Sequence, residues 1–516
     1  MVRACLLGAG ALALGWGLAG CGSDGEEVTA APLAADTGND AAAETDTADT
    51  GGVDATATEA PVPTPTAPPT PTPSPTAIPI SFKTEIQPIL EGTCAQCHTG
   101  DGPGVDHFAM NQVSEVVAIA PYLGPVVESR AMPPWPASDL GVPLQHVLAL
   151  SDADRQAIVD WVAAGAPVDV AGTTALAYTG EVLPQPDKDV VMTAEAPYQG
   201  SPEKRNDYRC FVLDPGFIET TYLGGVGFTP EYPEIVHHVI LSKVSESLRP
   251  MAAELAAADP APGWECFGLS GLERGGGIVD GIGGWVPGQA PVRYPEGASL
   301  RMEPGEFLVM QLHYHYDEPN PPADLSTLWL DVLDGPTPNT INSVTYLGPA
   351  EIPCTAEQVG PLCDRGAVLA DIGQRFGGFA VAIPEFLLLQ CGQTAAQYAD
   401  NNTGVASSSC DLPVQQTGDL IGVFGHMHEY GKAIRLTLNP GTPEETILLD
   451  IDRWDFQWQF NYALVTPIPI DRGDTLRVDC TWDRSLVEND PPRYITWNEG
   501  TEDEMCYSSL TVLQPA

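Results

Sequence analysis

The sequence predicts a multidomain chain in which a small all-α domain precedes an all-β region, behind an N-terminal segment that does not fold. Three observations carry the prediction. Residues 22–80 lack hydrophobic periodicity, residues 81–168 carry helix caps with helical apolar spacing, and residues 188–516 read as strand-sized apolar runs broken by Gly, Pro, Asn and Asp turns. A length of 516 residues also exceeds what one typical core organises.

Residues 1–21 read as an export signal. Arg3 supplies the positive start, Leu6 to Leu18 form an apolar stretch too short to span a bilayer, and Leu18-Ala19-Gly20-Cys21 offers a small-residue cleavage site. A signal ending in Leu-Ala-Gly-Cys resembles the bacterial lipobox. The resemblance implies that Cys21 carries lipid and begins the mature chain, which would hold the protein at a periplasmic or outer-membrane face of the cell envelope. Residues 22–80 then run from Ala, Thr, Asp and Glu into a Pro/Thr alternation around Pro61–Pro75. Such a composition cannot bury enough apolar surface to offset its ordering entropy, and its prolines favour polyproline II, so it reads as a semi-extended tether.

The formal charge of −47 argues against nucleic acid, whose phosphates demand clustered Lys and Arg. Of twelve cysteines, Cys5 leaves with the signal, Cys21 is the lipidation candidate, and Cys94 and Cys97 belong to a motif described below. The eight that remain are an even number in an exported protein, which suggests four disulfides. Proximity in sequence favours Cys354–Cys363 and Cys391–Cys410 and leaves Cys210–Cys266 and Cys480–Cys506, although sequence alone does not fix connectivity.

Cys94-Ala95-Gln96-Cys97-His98 is a C-x-x-C-H, the arrangement in which two thiols add to the haem vinyls and the adjoining histidine reaches the iron. A redox C-x-x-C beside an incidental histidine is the alternative. Phe82 to Leu90 offers a short amphipathic helix leading into the motif. Ser151 caps a second helix, with Asp154 at the capping-box position, Ile158, Val159, Trp161 and Val162 along it, and Gly165 past its end. With these two terminal helices, residues 81–168 resemble the class I cytochromes c. Their sixth ligand is usually a methionine before the last helix, which makes Met132, stiffened by Pro133 and Pro134, the first candidate; Met110, His107 and His146 are the alternatives.

Three of the nine histidines lie in this domain, and the other six form three pairs: His237-His238, His313-x-His315 and His426-x-His428. Each pair sits in a stretch that reads as a strand. Residues i and i+2 of an extended chain share a face, so His426 and His428 can bind one ion together. Adjacent residues point to opposite faces, so His237 and His238 need a bulge or a strand end to converge. Imidazole-rich sites suit copper or zinc, and a thioether tips the balance towards copper.

From about Lys188 to the C-terminus the chain resembles the copper type II, ascorbate-dependent monooxygenases, the family of peptidylglycine α-hydroxylating monooxygenase and dopamine β-monooxygenase. The matching motifs are Val236-His237-His238-Val239, Gln311-Leu312-His313-Tyr314, the run Gly425-His426-Met427-His428-Glu429-Tyr430-Gly431-Lys432, and Asp503-Glu504-Met505-Cys506. The resemblance implies two β-sandwich (jelly-roll-like) domains facing a solvent cleft, 188–345 and 346–516, with one copper in each. It implies that His237, His238 and His313 hold an electron-transfer copper and that His426, His428 and Met505 hold the copper that meets dioxygen. His315 has no counterpart in the pattern and stays outside the ligand set.

Departures from the family bear on substrate. Its peptide-amidating members carry an arginine two residues before His-x-His, where this chain has Phe424, and Asn and Tyr shortly after Met-Cys, where it has Tyr507, Ser508 and Ser509. A neutral or apolar small molecule suits Phe424 better than a peptide carboxylate. The expected function is therefore hydroxylation of an aliphatic C–H with O2, using two copper ions and one covalent haem c fed by an external donor. A non-catalytic copper and haem electron-transfer lipoprotein is the alternative.

Overall fold

The computed structural model describes residues 80–516, apart from 103, 106, 181–185, 202–205, 267–269, 286–290, 317–319, 489–490, 499 and 501. The signal, the lipidation candidate Cys21 and the tether lie outside the described residues. Ile80–Ala516 cluster as one unit.

Helical turns run from Phe82 to His98, π-helical at Phe82–Ile86 and Leu90–Cys94 and α-helical at Gln87–Ile89 and Ala95–His98. Phe82, Ile86 and Leu90, four residues apart, are buried on one face. The Ser151 hydroxyl accepts from Asp154 N (3.1 Å) at the start of the helix Asp152–Ala163, which buries Ile158 and Trp161. The Phe82 and Trp161 rings pack with centroids 5.6 Å apart. Full burial of side chains this large stabilises by about 1.5–3 kcal/mol each.

A third helix, Val113–Glu128, carries Pro121 and Pro125 inside it, and those prolines hide it from a reading by helix breakers. Both prolines sit on the exposed side, while Val113, Val116, Ala120, Leu123 and Val127 form the buried stripe. Gly124 lets this helix approach the next one, because a Cβ there would lie 2.9 Å from Val162 Cγ1.

The helices between residues 81 and 168 bury a hydrophobic core of their own, which includes Phe82, Ile86, Val113, Val116, Ile158 and Trp161 and reaches Leu176. Residues 135–148 leave it and run along the last β-domain: Ser138 N donates to Asp450 O (2.7 Å), Val142 N to Ile447 O (3.0 Å) and Gln145 N to Ala463 O (2.8 Å). Trp135 packs on Phe460 and Tyr462 with centroids 5.7 and 5.3 Å away. Arg453 Nη1 donates to Ser129 O at 3.0 Å.

The rest of the described chain is mostly β-sheet, consistent with β-sandwich domains. In the first, a five-stranded sheet in the order Trp264–Glu265, Asn206–Leu213, Phe307–His315, Val236–Val244, Val279–Trp285 shares its core with Thr221–Thr229 and Thr327–Val332 of a second sheet. In the second, Val405–Pro413, Thr475–Asp483, Gly431–Leu438 and Thr446–Ile451 form one sheet, which packs on Gly418–His426 and Cys506–Pro515 of the other. Alternate residues of Val405–Pro413 are buried, as a half-covered strand requires.

The domains are joined rather than merely adjacent. Asn339–Gly348 pairs in parallel with Ala298–Met302 (Asn339 opposite Ala298) and antiparallel with Cys506–Pro515, so a nine-stranded sheet crosses both halves. The boundary expected near residue 345 thus falls inside a strand. The all-β reading also missed the helices Arg249–Ala258, Arg365–Phe376 and Gly378–Gln390. The last two are flanked by the disulfides Cys354–Cys363 and Cys391–Cys410; Cys210–Cys266 and Cys480–Cys506 are also joined.

Candidate metal centres

His313 lies near the end of Phe307–His315, the central strand of the five-stranded sheet, directly opposite His238 on Val236–Val244. The pairing then skips from His238 to Val236 opposite Tyr314, leaving His237 as the extra residue of a bulge. That bulge turns the His237 ring to the same side as its neighbour. His237 Nδ1 lies 3.2 Å and His313 Nδ1 3.3 Å from His238 Nδ1, and candidate ligand atoms of all three residues fall within 4.8 Å of one another. Three imidazoles thus converge through Nδ1. Tyr208 stacks on His313 at 4.2 Å, which holds that ring's plane. Burial pushes His237 down, and His238 and His313 further, so the rings keep the neutral form with a free lone pair. His315, at the strand end, has its ring 6.4 Å from that of His237.

The second cluster forms where Gly418–His426 ends. His426 is its last residue, His428 follows two positions on, and their rings lie 5.2 Å apart. Here the Nδ1 atoms face away from any shared ligand. His426 Nδ1 donates to Gln459 Oε1 (2.6 Å) and His428 Nδ1 to the Asp503 carbonyl (3.0 Å), which fixes both tautomers and leaves each Nε2 for a metal. Burial lowers His426 to about 3 and His428 to about 4, so both are neutral at pH 7.

Met505 is buried, and its backbone is tied to that of His428 through its neighbour. The Glu504 carboxylate accepts from His428 N (2.9 Å), Tyr430 N (2.7 Å), Met505 N (3.0 Å) and Trp482 Nε1 (3.0 Å), tying the histidine segment to the methionine segment. Burial raises this carboxyl to about 8 against those four donors. The next residue, Cys506, is anchored to Cys480. Phe424 stacks on His426 with centroids 6.3 Å apart, and Tyr507 and Trp454 present edges at 6.2 and 6.1 Å. The wall beside this cluster is therefore aromatic, with Phe424 part of it.

One segment of the C-terminal domain touches both clusters. Residues 453–460 reach between them: the Phe456 ring stacks on His237 (5.5 Å) and meets His428 edge-on (6.3 Å), while His237 Nε2 donates to Gln457 Oε1 (3.0 Å). Trp454 Nε1 donates to the His428 carbonyl at 3.0 Å. Sequence reasoning missed Trp454, Phe456, Gln457, Gln459 and Glu504. The alternation of aromatic and polar residues in Trp454-Asp455-Phe456-Gln457-Trp458-Gln459-Phe460 marks an unusual segment, yet nothing local says which histidines it meets.

Cys94, Cys97 and His98 lie together at the end of the first helical run, and the two thiols are the free cysteines among the described residues. His98 Nδ1 donates to Phe108 O (2.8 Å), leaving Nε2 as the ligating atom, and Gly104 lies so close that a Cβ would sit 2.6 Å from His98 Cε1. The donor set and the cradle fit a covalently held haem. Met132 lies half-buried after Val113–Glu128, its N–H on Val126 O (3.0 Å), whereas Met110 is buried with its N–H on His98 O (2.7 Å). His107 and His146 are exposed.

Among solved structures, an allantoicase is 10% identical over 54% of this chain and 78% of its own, with a TM-score of 0.14. A fucolectin from striped bass serum is 9% identical over 60% of this chain and 84% of its own, with a TM-score of 0.15. Scores this low carry no argument about fold or function. No curated protein matches. Residues 394–511, the stretch that holds His426, His428, Met505, Gln457 and Gln459, match the copper type II ascorbate-dependent monooxygenase C-terminal domain, and this is the family that the match supports.

Proposed function

We propose that this chain is a copper-dependent monooxygenase that hydroxylates an aliphatic C–H of a small apolar substrate with O2, fed with electrons through its own c-type haem. The observation that carries the reading is the pair of neutral imidazole clusters meeting across Phe456, one of them inside the segment that matches the monooxygenase family. His237, His238 and His313 would hold one copper through Nδ1; His426 and His428, through Nε2, and the Met505 thioether would hold the other. When bound, the coppers supply one-electron storage and dioxygen activation, the thioether favouring Cu(I). The overall change consumes one O2, two electrons and two protons, leaving one oxygen in the new C–O–H bond and the other in water.

The chain's own residues set the rest. Phe424, Tyr507 and Trp454 line the C-terminal centre with apolar surface, which favours a neutral C–H substrate and excludes water. Glu504 keeps Met505 and His428 at fixed separation. Cys94, Cys97 and His98 would hold the haem, with Met132 or Met110 as the candidate sixth ligand. Burial, then the nearby Cys97, pushes Cys94 up to about 12, the opposite of the lowered thiol that disulfide exchange needs. The lipobox reading adds that the mature chain starts at Cys21, anchored in an envelope membrane.

The test is O2 uptake by the reduced, copper-loaded protein across a panel of small apolar substrates. Uptake that depends on substrate and stops in Met505→Ile is expected, with the haem band oxidising in step during stopped-flow mixing. Two bound coppers without substrate-dependent uptake would favour the electron-transfer lipoprotein instead.

A further inference from the structure

We propose that Gln457 and Gln459 are paired positioning residues, one for each metal centre, so that a single turn of the C-terminal domain selects the ligating nitrogen of a histidine in both domains. The inference rests on the copper reading only for its effect on affinity. The tautomer assignment rests on geometry alone.

A glutamine amide oxygen can only accept, so the ring nitrogen facing it must carry the proton. Gln459 has its orientation fixed, because its Nε2 donates to Phe456 O at 2.8 Å and turns Oε1 onto His426 Nδ1 at 2.6 Å. The proton sits on Nδ1 and the lone pair on Nε2. Two residues earlier, Gln457 Oε1 faces His237 Nε2 at 3.0 Å, across 220 positions of sequence, which puts the proton on Nε2 and the lone pair on Nδ1. His237 Nδ1 is the atom that points at His238, and the arrangement at His426 is the reverse. The two centres therefore ligate through different nitrogens, and adjacent amides on one turn enforce the difference. Phe456, stacked on His237 and bonded through its carbonyl to Gln459, keeps the two amides in register.

The contacts differ in strength for a physical reason. Gln459 is buried, so losing it leaves the His426 N–H without a partner in a dry site, whereas Gln457 is exposed and water can partly replace it. Removing an outer partner of a ligating histidine typically costs roughly 10–100-fold in metal affinity. We place Gln457→Leu near the lower end of that range and Gln459→Leu near the upper.

Two measurements on the full chain test this. In metal-free protein, long-range 15N–1H correlation of the imidazoles should show His237 protonated on Nε2 and His426 on Nδ1; Gln457→Leu should turn only His237 into a tautomer mixture, and Gln459→Leu only His426. In copper titrations against a competing chelator, each Leu variant should weaken one site and spare the other, while Gln457→Glu, which keeps an acceptor oxygen, should restore the His237 tautomer. Wild-type tautomers opposite to these, or equal loss at both sites in either Leu variant, overturns the proposal. Correct tautomers in a protein that binds no copper would sink the copper reading and leave the assignment of the two glutamines standing.

Discussion

The two histidine clusters differ in how each imidazole is held. In the N-terminal cluster the rings come from two paired strands, converge through Nδ1, and are steadied by Tyr208 stacking and by an exposed glutamine from the other domain. In the C-terminal cluster the rings offer Nε2, and their protonated sides are fixed by a buried glutamine, a backbone carbonyl and a buried carboxylate that also grips Met505. The first arrangement stays close to solvent at His237. The second is held at more points, by a side-chain amide, a backbone carbonyl and a carboxyl that are themselves buried.

If that contrast is functional, damage to the C-terminal centre should abolish turnover while sparing the other. His426→Ala should remove substrate-dependent O2 consumption and lower copper stoichiometry from two towards one, read by metal analysis. Met505→Ile should also abolish consumption, with normal haem spectra and near-normal reduction of the copper at His237, His238 and His313. Full turnover in Met505→Ile would break the division of labour.

The next effect in size is on stability. Glu504→Leu keeps the bulk but leaves four buried N–H groups without their acceptor, and one such orphan costs about 1–3 kcal/mol. A loss of at least about 3 kcal/mol in denaturant unfolding is expected. A loss below ~1 kcal/mol would mean that water or a shifted backbone takes over the carboxylate's part.

The pH dependence sharpens the same comparison. His426 and His428, lowered by burial to about 3 and about 4, stay neutral in the folded metal-free protein while the unfolded chain takes up protons near the ordinary value of 6.5. Their contribution to stability is complete above 6.5 and is lost as pH falls from there towards 3. Glu504 acts with opposite sign: raised from 4.5 to about 8, it binds more protons folded than unfolded, so stability falls as pH rises through that window. Thermal unfolding of metal-free protein should therefore weaken on both sides of neutrality, and Glu504→Gln should remove the alkaline limb alone.

The smallest expected effect concerns the strap from the helical module. Trp135 is half-buried on Phe460 and Tyr462, beyond the turn that carries Gln457 and Gln459, so Trp135→Ala should cost about 1–2 kcal/mol. It should also slow haem oxidation under turnover without changing copper content. An unchanged rate would mean that the strap only fastens the module.

Local signals were enough to read the Ser151 cap with Ile158 and Trp161, the three histidine pairs, and the need for a bulge at His237 and His238, because each depends on residues a few positions apart. The helix Val113–Glu128 was not read, and its Pro121 and Pro125 lie on a face whose exposure only the packing of the helix decides. Tertiary structure alone decided the pairing of Asn339 with Ala298 that fuses the sandwiches, the strap 135–148 laid along strands some three hundred positions away, and the contact of Gln457 with His237 across 220 positions. Caps and periodicity are written in neighbouring residues. Which buried nitrogen faces which distant amide depends on how whole sheets dock, and no local pattern carries that information.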